Sequence, residues 1–131
     1  MRHTKHRSDE SVEDYLEVIL SLQQQIGNVR SIDIAHEMNF SKPSVSVAMK
    51  NLREKGYVAV DESGYIVLTD VGKKRAEDVL DRHTILTECL VHIGVSRETA
   101  MKDACMIEHD LSEETFLAIK DYFQKMTKKN N

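Results

Sequence analysis

Apolar residues recur at helical spacing along the start of this chain. Val12, Tyr15, Leu16, Ile19, Leu20 and Leu22 fall three and four apart, which predicts a first helix with one buried face. Ser8 or Ser11 can cap it, and Glu10, Glu13 and Asp14 suit the positive end of its dipole. Gly27 and Asn28 end it. A second, short helix is expected from Arg30 to Asn39, with Ser31 as cap and Ile32, Ile34, Ala35 and Met38 inside. Ser41-Lys-Pro-Ser44 then opens a third. Ser41 caps it, and Pro43 sits in the first turn, where its missing amide costs nothing. Val45, Ala48, Met49 and Leu52 line its buried side, and Gly56 stops it.

The pattern then changes. Residues 57–60 and 65–68 are short β-prone runs, joined by the turn Asp61-Glu-Ser-Gly64. Helix, turn, helix and a two-stranded wing make the winged helix-turn-helix order. Helical periodicity returns over residues 71–93 and stops at Gly94. Residues 95–98 cap a further helix running to about Leu111, and Ser112-Glu-Glu-Thr115 opens the last one. The chain therefore reads as mostly α: a winged helix-turn-helix over 1–72, then a helical domain over 73–131. Three amphipathic helices have apolar faces to cover, and a second copy of the chain is the simplest partner. The reading is thus a homodimer.

Composition adds bounds. Forty per cent apolar content supports a core, and 31% charged residues keep it in solution. No apolar run approaches a membrane span. The basic start, Met1 to Ser8, lacks the apolar stretch of a signal peptide, so a cytoplasmic location is the default. The net charge of −4 excludes a general nucleic-acid binder. The charge is unevenly spread, however. Lys42, Lys50, Arg53 and Lys55 stand against Glu54 alone, whereas residues 76–131 hold seven Lys/Arg and eleven Asp/Glu. A modest local basic patch fits phosphate contacts by a specific DNA reader.

The candidate chemistry lies in the second half. Cys105, Glu108 and His109 are three and four apart on an expected helix, so a thiol, a carboxylate and an imidazole share one face. His83 on the preceding helix and the pair Asp14 and Glu17 on the first add nitrogen and oxygen donors. Taken singly, each has a plainer reading: paired acids are usually solvated, and a lone mid-helix histidine is usually structural. Cys89 reads as a small buried hydrophobe. Two cysteines do not make a disulfide scaffold. An enzyme is disfavoured, because Cys105 and His109 lack an orienting group and an oxyanion donor. The alternative is a metal-independent winged-helix regulator that senses redox state or a small ligand.

From about Ser11 to Met126 the chain resembles the diphtheria-toxin-repressor family of iron- and manganese-dependent transcriptional repressors. The matching segments are Ser11-Val-Glu-Asp-Tyr-Leu-Glu17, Ser41-Lys-Pro-Ser-Val45, Leu68-Thr-Asp-Val-Gly-Lys73, Arg82-His83 and Ala104-Cys-Met-Ile-Glu-His-Asp-Leu-Ser112. The resemblance implies a metal site of Asp14, Glu17, His83, Cys105, Glu108 and His109. Asp14 and Glu17 match ligands of the manganese type. His83, Glu108 and His109 match both types, and Cys105 matches the iron type. Thr87 and Met101 stand where the iron type has ancillary ligands, which argues against that site. The chain ends too early for an additional SH3-like domain and in this resembles the short manganese type.

The expected cofactor is thus Fe2+ or Mn2+, with Co2+, Ni2+ or Zn2+ able to substitute. The expected function is repression of metal-uptake genes through an AT-rich palindromic operator in double-stranded DNA. The resemblance implies that Ser41, Pro43 and Ser44 face bases. Lys42 and Lys50 suit phosphates, and Ser46 lies within the same segment.

Overall fold

The computed structural model describes residues 5–129, with side chains over 11–128. It falls into two compact units, the first ending at Asp78 and the second beginning at Val79. No helix of the described residues is long and apolar enough to cross a membrane.

The first unit is built on α1 (Lys5–Ile26), α2 (Ser31–Met38), α3 (Lys42–Glu54), β1 (Val58–Val60) and β2 (Ile66–Leu68). The periodic apolar positions become its core: Leu16, Ile19, Val29, Ile34, Val45 and Leu52 are all at most 2% exposed. α1 begins at Lys5, so Ser11 lies inside the helix and not at its cap. Ser8 and Glu10 fall outside the described side chains, and residues 130–131 of the tail fall outside the described residues. Ser31 is not the cap of α2 either. Arg30 holds that position in extended backbone, and the Asp33 carboxylate reaches back to accept from its N–H at 2.8 Å. A carboxylate near the helix start also meets the positive end of the dipole, which a serine hydroxyl does not exploit. α2 ends at Asn39 in the left-handed region (φ 56°), which an asparagine tolerates. α3 starts as its sequence demands. Ser41 accepts from the Ser44 N–H at 3.3 Å, with Pro43 in the first turn.

β1 and β2 pair antiparallel with Val58 opposite Leu68 and Val60 opposite Ile66. Val29 adds a single bridge to Ile66. The Asp61 carboxylate binds the wing turn, accepting from the N–H groups of Ser63 and Tyr65 at 2.9 Å each. Thr69 then joins the wing to α4 (Asp70–His92). Its hydroxyl accepts from the Gly72 N–H and donates to the Gly56 carbonyl at 2.6 Å. Gly72 is required here, since a Cβ at this position would fall on the Tyr57 carbonyl. Arg75 ties the same region together, with one nitrogen 2.6 Å from the Tyr57 hydroxyl and another 3.4 Å from Glu13 on α1.

The second unit comprises most of α4, then α5 (Arg97–Ile107) and α6 (Glu113–Lys129). Ser96 caps α5 by accepting from the Thr99 N–H, and Ser112 caps α6 by accepting from the Thr115 N–H. Leu86, Ala100, Ala104 and Phe116 are buried between these helices. α5 is shorter than its sequence pattern predicts, ending at Ile107 rather than near Leu111. Glu108 keeps helical backbone angles and bonds back to Ala104, but Asp110 bonds back only three residues, to Ile107, and the helix closes in a turn.

Candidate metal centre and DNA-reading surface

Within the second unit, Glu108 is the focal residue. It is 1% exposed, although it carries a carboxylate. Its Oε2 lies 3.0 Å from His83 Nδ1. His83 and Glu108 thus present a nitrogen and an oxygen donor side by side. The other oxygen, Oε1, has no hydrogen-bond partner among the described residues. His109 Nε2 approaches it to 3.4 Å without making a hydrogen bond. A buried carboxylate oxygen left in this state costs about 1–3 kcal/mol or more unless something else satisfies it.

The structure therefore brings His83, Glu108 and His109 together. His83 comes from the middle of α4, and Glu108 and His109 come from the turn after α5. The His109 side chain is 3% exposed and Glu108 is buried, whereas His83 is only partly covered. Cys105 stands three residues before Glu108 in the last turn of α5, is exposed, and forms no disulfide. Asp14 and Glu17 belong to the first unit. They sit three residues apart on α1, and both are half-buried. Nitrogen, oxygen and sulfur donors in one set suit a first-row divalent ion, and the unsatisfied Glu108 oxygen is the kind of atom such an ion satisfies. The residues present fit a metal.

Sequence reasoning missed the support beneath this cluster. Arg82 donates from one terminal nitrogen to the carbonyls of Glu108, at 3.0 Å, and Leu111, at 2.7 Å. Its guanidinium also lies over the Phe116 ring, 5.1 Å from the centroid. The Arg-His pair was visible in the sequence, but what Arg82 holds depends on the path of the chain after α5. Elsewhere in the unit, burial pushes the Cys89 thiol above its ordinary pKa, which keeps it protonated.

The DNA-reading candidates all lie at the start of α3 and on its outer face. Ser41, Lys42, Pro43, Ser44, Ser46 and Lys50 are exposed, whereas Val45, Met49 and Leu52 point inward. Val47 is 62% exposed on the same face, an apolar side chain that the sequence reading left unassigned.

Two family models match this chain, one in each half. Residues 9–65 match the family described as iron dependent repressor, N-terminal DNA binding domain. Residues 69–130 match iron dependent repressor, metal binding and dimerisation domain. The transcriptional regulator MntR of Escherichia coli O157:H7 is 35% identical over 116 residues, covering 88% of this chain and 75% of that protein. An uncharacterised HTH-type transcriptional regulator of Methanocaldococcus jannaschii is 31% identical over 122 residues, covering 92% of this chain and 98% of its own length. Among solved structures, a manganese-dependent transcriptional repressor in complex with manganese superposes with a TM-score of 0.77 at 27% identity, covering 85% of this chain and 51% of that one. The chain thus spans about half the length of that repressor.

Proposed function

The chain belongs to the iron-dependent repressor family, and on that footing we propose that it represses transcription by binding operator DNA when it holds a divalent metal, Mn2+ or Fe2+. The observation that carries this reading is the buried Glu108 carboxylate, held by His83 on one oxygen and unsatisfied on the other. His83 and His109 supply nitrogens, Glu108 an oxygen and Cys105 a sulfur. Asp14 and Glu17 of α1 complete the set with further oxygens. When bound, the metal supplies the positive charge that lets these acidic groups converge without repulsion.

The ligands come from two parts with different tasks. Asp14 and Glu17 are on the helix that packs into the DNA-reading core, and the others are in the part matched to metal binding and dimerisation. Sharing one ligand set couples the two tasks. Exposed apolar side chains in the second unit, Ile93, Leu117 and Tyr122 among them, leave surface for a second copy. In the dimer, two α3 helices enter successive major grooves, about 34 Å apart in B-DNA. Ser41, Pro43 and Ser44 face bases, Lys42 and Lys50 face phosphates, and Ser46 belongs to the same DNA-facing segment. Small side chains and a proline ring suit thymine methyls, which is the basis for assigning an AT-rich palindrome. A regulator with this target works in the cytoplasm. The Cys105 thiolate favours Fe2+, Co2+, Ni2+ or Zn2+ over Mn2+, and the three carboxylates pull toward Mn2+.

The test is a mobility-shift assay on promoters of metal-uptake genes, run in parallel with Fe2+, Mn2+, Zn2+ and a chelator. Repressor behaviour requires a shift with metal that the chelator abolishes. If the chelator leaves the shift intact and peroxide removes it, the chain is instead a redox-sensing regulator.

A further inference from the structure

We propose that Arg82 is a positioning residue of the metal centre, fixing the turn that carries Glu108 and His109 so that both face the bound ion. The inference rests on the metal-site reading above, but its geometry lies wholly within the second unit. Residues 108–111 connect α5 to α6; Glu108 caps the helix, and the residues after it have left it. A connecting turn is ordinarily free to adopt several paths, and here two of the six assigned ligands ride on it. One nitrogen of Arg82 bridges both ends of the turn, the Glu108 carbonyl at 3.0 Å and the Leu111 carbonyl at 2.7 Å. The Glu108 carbonyl, at the C-terminus of α5, lacks a partner within the helix and carries partial negative charge, so a guanidinium is well matched to it.

Two features hold Arg82 in place. Its guanidinium stacks on Phe116, which is itself 5% exposed, and the neighbouring residue His83 holds the Glu108 carboxylate. The adjacent pair on α4 therefore grips one residue twice, Arg82 by its backbone and His83 by its side chain. A lysine ammonium could donate to the same carbonyls but lacks the flat guanidinium that lies over Phe116. Without the bridge, the Glu108 carbonyl and the turn after it lose their anchor on α4, and the ligands lose a common direction.

The experiment uses the full chain without DNA and follows Co2+ binding by its visible absorption, with competition against Mn2+. Wild type should bind Co2+ and give ligand-field bands that Glu108→Gln alters. Arg82→Ala should weaken Co2+ and Mn2+ affinity about 10–100-fold, as removal of groups supporting metal ligands generally does. It should also change the Co2+ spectrum while the metal-free circular dichroism stays that of wild type. Arg82→Lys should recover part of the affinity. If Arg82→Ala does not fold, Arg82→Lys and Arg82→Gln are compared instead, and each must still weaken binding and alter the bands. A folded variant with wild-type affinity and spectrum overturns the role of Arg82 and leaves the metal site standing. Failure of wild type to bind either ion overturns both.

Discussion

At the scale of single residues, the account turns on which atoms are buried and unsatisfied. Glu108 is the sharpest case, and Glu108→Gln keeps its shape while removing its charge. This change should lower Mn2+ affinity by at least about 100-fold, the upper end of what even supporting groups cost, as read by isothermal titration. Cys105 separates metal preference from affinity. Cys105→Glu should move selectivity toward Mn2+ and away from Co2+, and an unchanged ratio would remove the thiolate as the selecting group. The two thiols should also react differently. Cys105 is exposed, whereas burial holds the Cys89 thiol protonated, so iodoacetamide at neutral pH should modify Cys105 first. Bound metal should slow that modification, which peptide mass spectrometry reads directly. Spacing alone placed Cys105, Glu108 and His109 together in the sequence. It could not show that Glu108 and His109 lie past the end of α5, nor that Arg82 holds their turn. Those facts depend on where the helix stops, and a helix end is decided by backbone bonding and tertiary support more than by periodicity.

At the scale of elements, the legible features were those that act within a few residues. Ser41, Ser96 and Ser112 cap their helices as their sequence positions predict, because a cap needs only a hydroxyl and an N–H three residues on. The failures were also local competitions. Asp33 took over the capping of α2, and α1 extended upstream past Ser11. Gly72 was illegible in structural terms, since the reason for it is the distant Tyr57 carbonyl. Gly72→Ala should destabilise the DNA-reading part by about 3 kcal/mol, measured by urea unfolding, because backbone must move to admit the methyl group. An α3 prediction concerns charge. Lys42→Ala and Lys50→Ala should each reduce the slope of log affinity against log salt by about 1 without changing which sequence is preferred. A change in preferred sequence on either substitution would mean that the lysine reads bases.

At the scale of the whole molecule, the two matched family domains cover both tasks, DNA binding and metal binding with dimerisation. The order of elements and the patch of positive charge on α3 made the first task readable from the sequence. The second was readable only once six scattered donors were taken as one set, since each alone has a plainer explanation. The central claim is that metal and DNA binding are one linked equilibrium. The measurement that tests it most directly is Mn2+ affinity of the full chain, with and without saturating duplex selected from a randomised pool. Linkage predicts that DNA tightens Mn2+ binding by the factor by which Mn2+ tightens DNA binding, on the order of 5–150-fold. A Mn2+ affinity that saturating duplex leaves unchanged would contradict the account.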